Sequence, residues 1–168
     1  MLHEVMIFDS AVMDITFSKC GKFLAAFYKN GKIVIFNLEK EGEIRPVKNI
    51  DYEFPSSQYF SLDFSPDSAY LANISSNANI ITIWETKNFS LRWYVDLTGD
   101  IITKIVFAPN GHDLLAMTKT CKLKYLRVNP LLPEIESVRD QFGVTDQECT
   151  DFLVSSNNKY IIAAGKDG

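Results

Sequence analysis

Short apolar runs recur along the chain, each closed by polar and turn-forming residues, and four of them repeat one pattern. Val12-Met13-Asp14-Ile15-Thr16-Phe17-Ser18 is followed by a turn and then by Phe23-Leu24-Ala25-Ala26. The same order returns in Phe60–Ala72, in Ile105–Ala116 and in Asp151–Ala164. Anchored on Phe17, Phe64, Phe107 and Val154, the copies are spaced by 47, 43 and 47 residues. An aliphatic residue stands seven places after each anchor: Leu24, Leu71, Leu114 and Ile161. The runs are short, lack a 3.6-residue period and lie between turn signals, so they predict strands. Lys29-Asn30-Gly31 and Lys166-Asp167-Gly168 carry the Asn-Gly and Asp-Gly pairs that favour tight hairpins, because both central residues accept positive φ. A third run follows as Ile33–Phe36, Ile80–Trp84 and Leu123–Leu126.

A period just above 40 residues, with three or four short strands in each, predicts an all-β protein built of β-propeller blades, four antiparallel strands apiece. Inner strands apolar on both faces suit blades sandwiched between neighbours. The outer strands should be more polar, as at Gly42–Val47, where Pro46 fits an edge, and around Leu91–Leu97. Residues Pro130–Gln141 read as a connection running into an outer strand, with a short helical turn over Glu134–Asp140 as the alternative. The repeat units fall at about 1–38, 43–86, 89–128 and 134–168. They form one partial array of about three to four blades, an incomplete ring. The expectation is a piece of a longer protein, whose remaining blades close the ring and without which the chain is aggregation-prone.

These residues resemble the WD-repeat family: V-x-x-I-x-F-S, then x-x-G-x-x-L-A, a turn, and I-x-I-W-D. Val12–Leu38 and Phe60–Thr86 carry it best, and partial copies cover nearly the whole chain. The terminal Trp-Asp is replaced by Phe36-Asn37 and Trp84-Glu85, and in the third unit by Tyr125-Leu126 or Leu126-Arg127. Gly111-His112 lies in the turn after Phe107, not ahead of a first strand, so it is a decoy for the family's Gly-His pair. Without these residues the family's side-chain hydrogen-bond network is not expected, and hydrophobic stacking must hold the blades.

A net charge of −4 changes the picture by arguing against nucleic acid, since phosphate neutralisation requires a basic stripe and none is visible. Lys119, Lys122, Lys124 and Arg127 alternate with apolar residues and read as the solvent side of a strand. Cys20, Cys121 and Cys149 make an odd set without C-x-x-C spacing, which predicts free thiols, a reducing intracellular or cytoplasmic setting and no zinc site. The first ten residues lack the apolar core of a signal peptide, and no apolar run is long enough to cross a membrane.

Catalysis finds little support. His3 and His112 are the two histidines, no G-x-S-x-G occurs, and acids such as Asp51, Glu53, Asp67, Asp113 and Asp167 sit where turns explain them. No cofactor or metal is expected. The resemblance implies recognition at exposed turns on one face. The candidate partner-binding residues there are Tyr28, Lys29, Asn30, Ser76, Asn77, Lys119, Lys166 and Asp167. Tyr52 and Phe54 in the lead-in segment Asp51–Tyr59 join them as aromatic anchors, or else pack on the next blade. The expected function is a non-enzymatic protein-interaction scaffold, with cilium, centriole or cytoskeleton as the setting by analogy. The alternatives are the propeller of a larger enzyme, such as a peptidase gating domain, or of a ribonucleoprotein complex.

Overall fold

The computed structural model describes residues 10–39, 44–51, 58–74, 78–128, 137–141 and 149–165, the fifth of these by its backbone. Among them every regular element is a strand. The first sheet comprises β1 (Val12–Phe17), β2 (Phe23–Tyr28), β3 (Ile33–Asn37) and β4 (Arg45–Ile50). The second comprises β5 (Leu62–Phe64), β6 (Tyr70–Ile74), β7 (Ile80–Glu85) and β8 (Ser90–Asp96). The third comprises β9 (Ile102–Phe107), β10 (Asp113–Thr118), β11 (Leu123–Arg127) and β12 (Ser137–Gln141). Strands β13 (Cys149–Val154) and β14 (Ile161–Gly165) form a two-stranded fourth. Each sheet is an antiparallel meander in chain order, and no sheet closes on itself.

Strand registry explains the sequence period. Each anchor pairs directly with the residue seven places on: Phe17 with Leu24, Phe64 with Leu71, Phe107 with Leu114 and Val154 with Ile161. The turns between them share one geometry. Gly21, Ser68, Gly111 and Asn158 all hold positive φ four residues after the anchor, the left-handed conformation that Gly and Asn tolerate best. Ser18, Ser65 and Ser155 each accept a backbone N–H five residues on through their hydroxyls, at 2.8–2.9 Å.

The sheets stack as blades. Strand β1 lies against β5, β5 against β9, and β9 against β13, so the first strand of each sheet is innermost. Three apolar clusters fill the junctions. Ala25, Phe27, Ile33 and Ile35 meet Leu62, Phe64 and Leu71. Ala72, Ile74, Ile81 and Ile83 meet Ile102, Ile105 and Phe107. Leu115, Met117 and Leu123 meet Phe152. Inner-strand residues two apart thus cover the preceding blade, as the alternation of a strand requires. Burial of this kind, at roughly 25 cal/mol per Å² of apolar surface, is the principal term holding the blades together.

Two expectations are corrected, and one alternative falls away. Pro46 does lie on an outermost strand, but β4 begins at Arg45 and continues to Ile50 instead of ending at Val47. Residues 137–141 are strand, which removes the helical alternative. Cys121 and Cys149 are joined as a disulfide, leaving Cys20 as the free thiol, so three free cysteines is not what the fold presents.

The second blade holds a side-chain hydrogen-bond network of its own. The Oδ1 of buried Asn73 accepts hydrogen bonds from Thr82 Oγ1 and Trp84 Nε1, both at 2.8 Å. Thr86 Oγ1 donates to the carbonyls of Ser68 and Ala69 at 2.7 and 3.1 Å. Hydrogen bonding therefore assists stacking in that blade.

Candidate functional site

Two regions compete as the working surface: a cleft at the innermost strands and the tips of the second turn of each blade. The cleft has a volume of about 540 Å3, with Asp14, Lys19, Asp63, Lys104, Val106 and Leu153 on its walls. Its carboxylates are turned to cohesion. Asp14 Oδ2 accepts the backbone N–H of Leu62 at 2.7 Å, so the first blade grips the second. Asp63 Oδ2 accepts the N–H of Phe107 at 2.7 Å and repeats the grip one blade on. Ser61 Oγ exchanges hydrogen bonds with the backbone N–H and carbonyl of Ile105. Lys104 pairs with Asp151 across the last junction. Burial pushes the Asp63 carboxyl up to about 6, against the opposing Phe107 N–H and the charge of Lys19. Burial also raises Asp14, opposed by the N–H groups of Leu62 and Ile15 and by Lys104.

A buried acid of raised pKa in a cleft suits general-acid work when a substrate can reach its proton. Here the acids are already acceptors for strand N–H groups, and His112 is exposed in the β9–β10 turn. Sequence reasoning passed over Asp14 and Asp63. The available signal was their place inside an apolar strand, where no turn explains an acid.

The turn tips are built differently. Lys29 and Asn30 are exposed between β2 and β3, and Lys119 and Thr120 are exposed between β10 and β11. Each tip is held by its own blade: Lys29 N donates to the Ala11 carbonyl at 2.8 Å and Lys119 N to the Ile101 carbonyl at 2.7 Å. Asn30 Oδ1 accepts the Lys32 N–H at 3.1 Å and Thr120 Oγ1 shares a hydrogen bond with Thr118 Oγ1 at 3.1 Å, so backbone and short side chains brace each tip and the lysines are its outward charges. Tyr28 does not belong with them. It ends β2 with its side chain on the face of Ala26, Val34 and Phe36, 1% exposed, because strand alternation turns it inward. Tyr52, Phe54, Ser76, Asn77, Lys166 and Asp167 lie outside the described residues. Three exposed aromatics among the described residues were not candidates: Phe17 on β1, Tyr94 on β8 and Tyr160 ahead of β14. Tyr94 was legible as the polar-face position of an outer strand.

The sequence matches no family profile and no curated protein. The structure does match solved ones. A chain in a crystal structure of the mitotic checkpoint complex superposes with a TM-score of 0.72 at 14% identity, over 93% of this chain and 48% of that one. The chain thus spans about half the length of that neighbour. At this identity the likeness establishes the fold alone: the described residues are all-β and make β-propeller-like blades, with no closed barrel among them. Because 1146 solved chains match, the fold alone does not select a function.

Proposed function

We propose that the chain is part of a WD-repeat-type scaffold that holds other proteins through the turn tips between the second and third strands of its blades, without chemistry of its own. The observation that carries this reading is the division of labour between polar groups. Those at the innermost strands are spent on blade-to-blade hydrogen bonds, whereas Lys29, Asn30, Lys119 and Thr120 stand exposed on backbone that is itself anchored. A neighbour found in a protein complex is in keeping with protein partners. Further blades of the same protein complete the ring in this reading. The proposed setting is the cytoplasm, in cytoskeletal or ciliary assemblies, and rests on the family resemblance; imaging of the tagged protein tests it.

The scaffold reading is tested with a Lys29→Glu/Lys119→Glu double variant, which reverses two exposed charges and leaves the cores untouched. Proteins captured by the parent chain should be lost or weakened about tenfold, with an unchanged circular dichroism spectrum. Capture of the same proteins with the same affinity would remove these tips from the interface.

A further inference from the structure

The fourth blade is joined to the third by more than packing. Cys121 occupies the tip between β10 and β11, and Cys149 is the first residue of β13, 28 positions later. Their Cα atoms are 5.2 Å apart, the separation a bridge needs, and their side chains are 0% and 3% exposed within the third apolar cluster. The backbone at Cys121 is informative. Its N–H bonds to the Thr118 carbonyl, as that of Gly31 bonds to Tyr28 in the first blade, so the two residues hold equivalent places. Gly31 has φ +85°, Ala78 at the same place in the second blade +56° and Cys121 +55°, so the turn imposes the left-handed conformation on whatever residue stands there. What sets the third blade apart is that the residue at this place carries a sulfur, and that the sulfur meets a second one across a blade junction.

We propose that Cys121 and Cys149 form a reversible dithiol–disulfide site, oxidised by a low-molecular-weight disulfide of the glutathione type, which latches the fourth blade to the third beneath the 118–121 tip. Both sulfurs are enclosed, so exchange proceeds when the junction opens. The Cys149 thiolate then attacks one sulfur of oxidised glutathione, forming a mixed disulfide and releasing one glutathione thiolate. The Cys121 thiolate attacks the Cys149 sulfur, closing the protein bridge and releasing the second. Two protein thiols give up two electrons and two protons, and one oxidised glutathione becomes two reduced molecules. The latch does not depend on the scaffold reading, because its state is read on the fourth blade itself.

Cys20 supplies an internal control. It is exposed, and hydrogen bonds with Ser18 and Ser68 lower its thiol pKa, so it reacts readily with alkylating agents. The intact chain, equilibrated in glutathione redox buffers, is pulsed with iodoacetamide and mapped by mass spectrometry alongside amide hydrogen exchange. In oxidised buffer Cys20 should carry either glutathione or the alkyl group, while Cys121 and Cys149 carry neither, the pair titrating as one two-electron couple. Exchange in β13 and β14 should be roughly tenfold or more slower in the oxidised protein, with β1–β7 unchanged. Cys121→Gly places at the tip the residue the first blade uses, so it should fold, and its β13–β14 exchange should ignore the buffer. Cys20→Ser should keep the full response. Alkylation of all three cysteines together in oxidised buffer would overturn the site. A bridge that forms without changing β13–β14 exchange would overturn the latch.

Discussion

Strands β1 and β5 carry the same motif in different surroundings. Phe64 of β5 is 0% exposed because the first blade covers it, whereas its counterpart Phe17 of β1 is 57% exposed. Ile15 and Leu62 repeat the contrast one position pair earlier. At the other end, Tyr160 and Ile162 are 66% and 71% exposed, although their equivalents Phe23 and Ala25 pack against the second blade. Local sequence therefore specifies which side chains a blade offers to its neighbour, and the neighbour decides whether they count as core. A repeat array has this property because each unit buries its faces only by stacking.

The most direct way to break the comparison is to truncate both anchors. Phe64→Ala should lower unfolding stability by about 3–5 kcal/mol, the range for a fully buried phenylalanine whose site cannot collapse. Phe17→Ala removes a side chain more than half in water and should change stability by less than about 1 kcal/mol. Urea denaturation followed by tryptophan fluorescence measures both, since Trp84 and Trp93 sit in the second blade. Equal losses would show that Phe17 is covered in solution, and the two strands would then be equivalent.

A second contrast lies on the opposite faces of these blades. The first blade places Ala26, Val34 and Phe36 where the second places Asn73, Thr82 and Trp84, as the pairings of Ala26 with Val34 and of Asn73 with Thr82 show. Asn73→Ala strips the shared acceptor from a buried hydroxyl and an indole N–H and should cost about 2–3 kcal/mol. The triple variant Asn73→Ala/Thr82→Val/Trp84→Phe installs the apolar set of the first blade. It should recover at least about 1 kcal/mol of that loss, because no donor is left unpaired. Circular dichroism melts of the two variants check this. A triple variant weaker than the single one would mean that the network specifies the blade in a way packing cannot replace.

These contrasts also show what could be read before the fold was seen. The four anchors and the residues seven places on were legible because a turn of fixed length forces one register, and the register appears directly as spacing. The Lys29-Asn30 and Lys119-Thr120 tips were legible from turn chemistry. Tyr28 was misjudged because it abuts Lys29-Asn30-Gly31, and one residue at a strand end separates inside from outside. The Asn73 network escaped because its three members become neighbours only after two strands pair. The Cys121–Cys149 bridge escaped for a similar reason: a turn of one blade and the first strand of the next meet only when the blades stack. Spacing reports strand register within a blade well, and side-chain contacts between strands or between blades poorly.

The smallest effect sharpens the comparison at the innermost strands, where β5 carries Asp63 and β1 carries Thr16 immediately before the anchor. Burial raises the Asp63 carboxyl from 3.8 to about 6, so between those values the folded chain holds a proton that the unfolded chain has released. Stability should therefore be greatest near or below pH 4 as far as this group is concerned, fall as pH rises through 6, and change little above it. Asp14, also raised by burial, contributes with the same sign. The urea midpoint should correspond to about 1–2 kcal/mol more stability at pH 5 than at pH 7.5. Asp63→Asn keeps an oxygen to accept the Phe107 N–H but cannot ionise, so it should flatten most of that dependence and lose little stability at pH 7.5. A parent chain that gains stability between pH 5 and 7.5, or a variant whose slope is unchanged, would mean that water reaches this carboxylate and that the β5–β9 junction is looser than the one between β1 and β5.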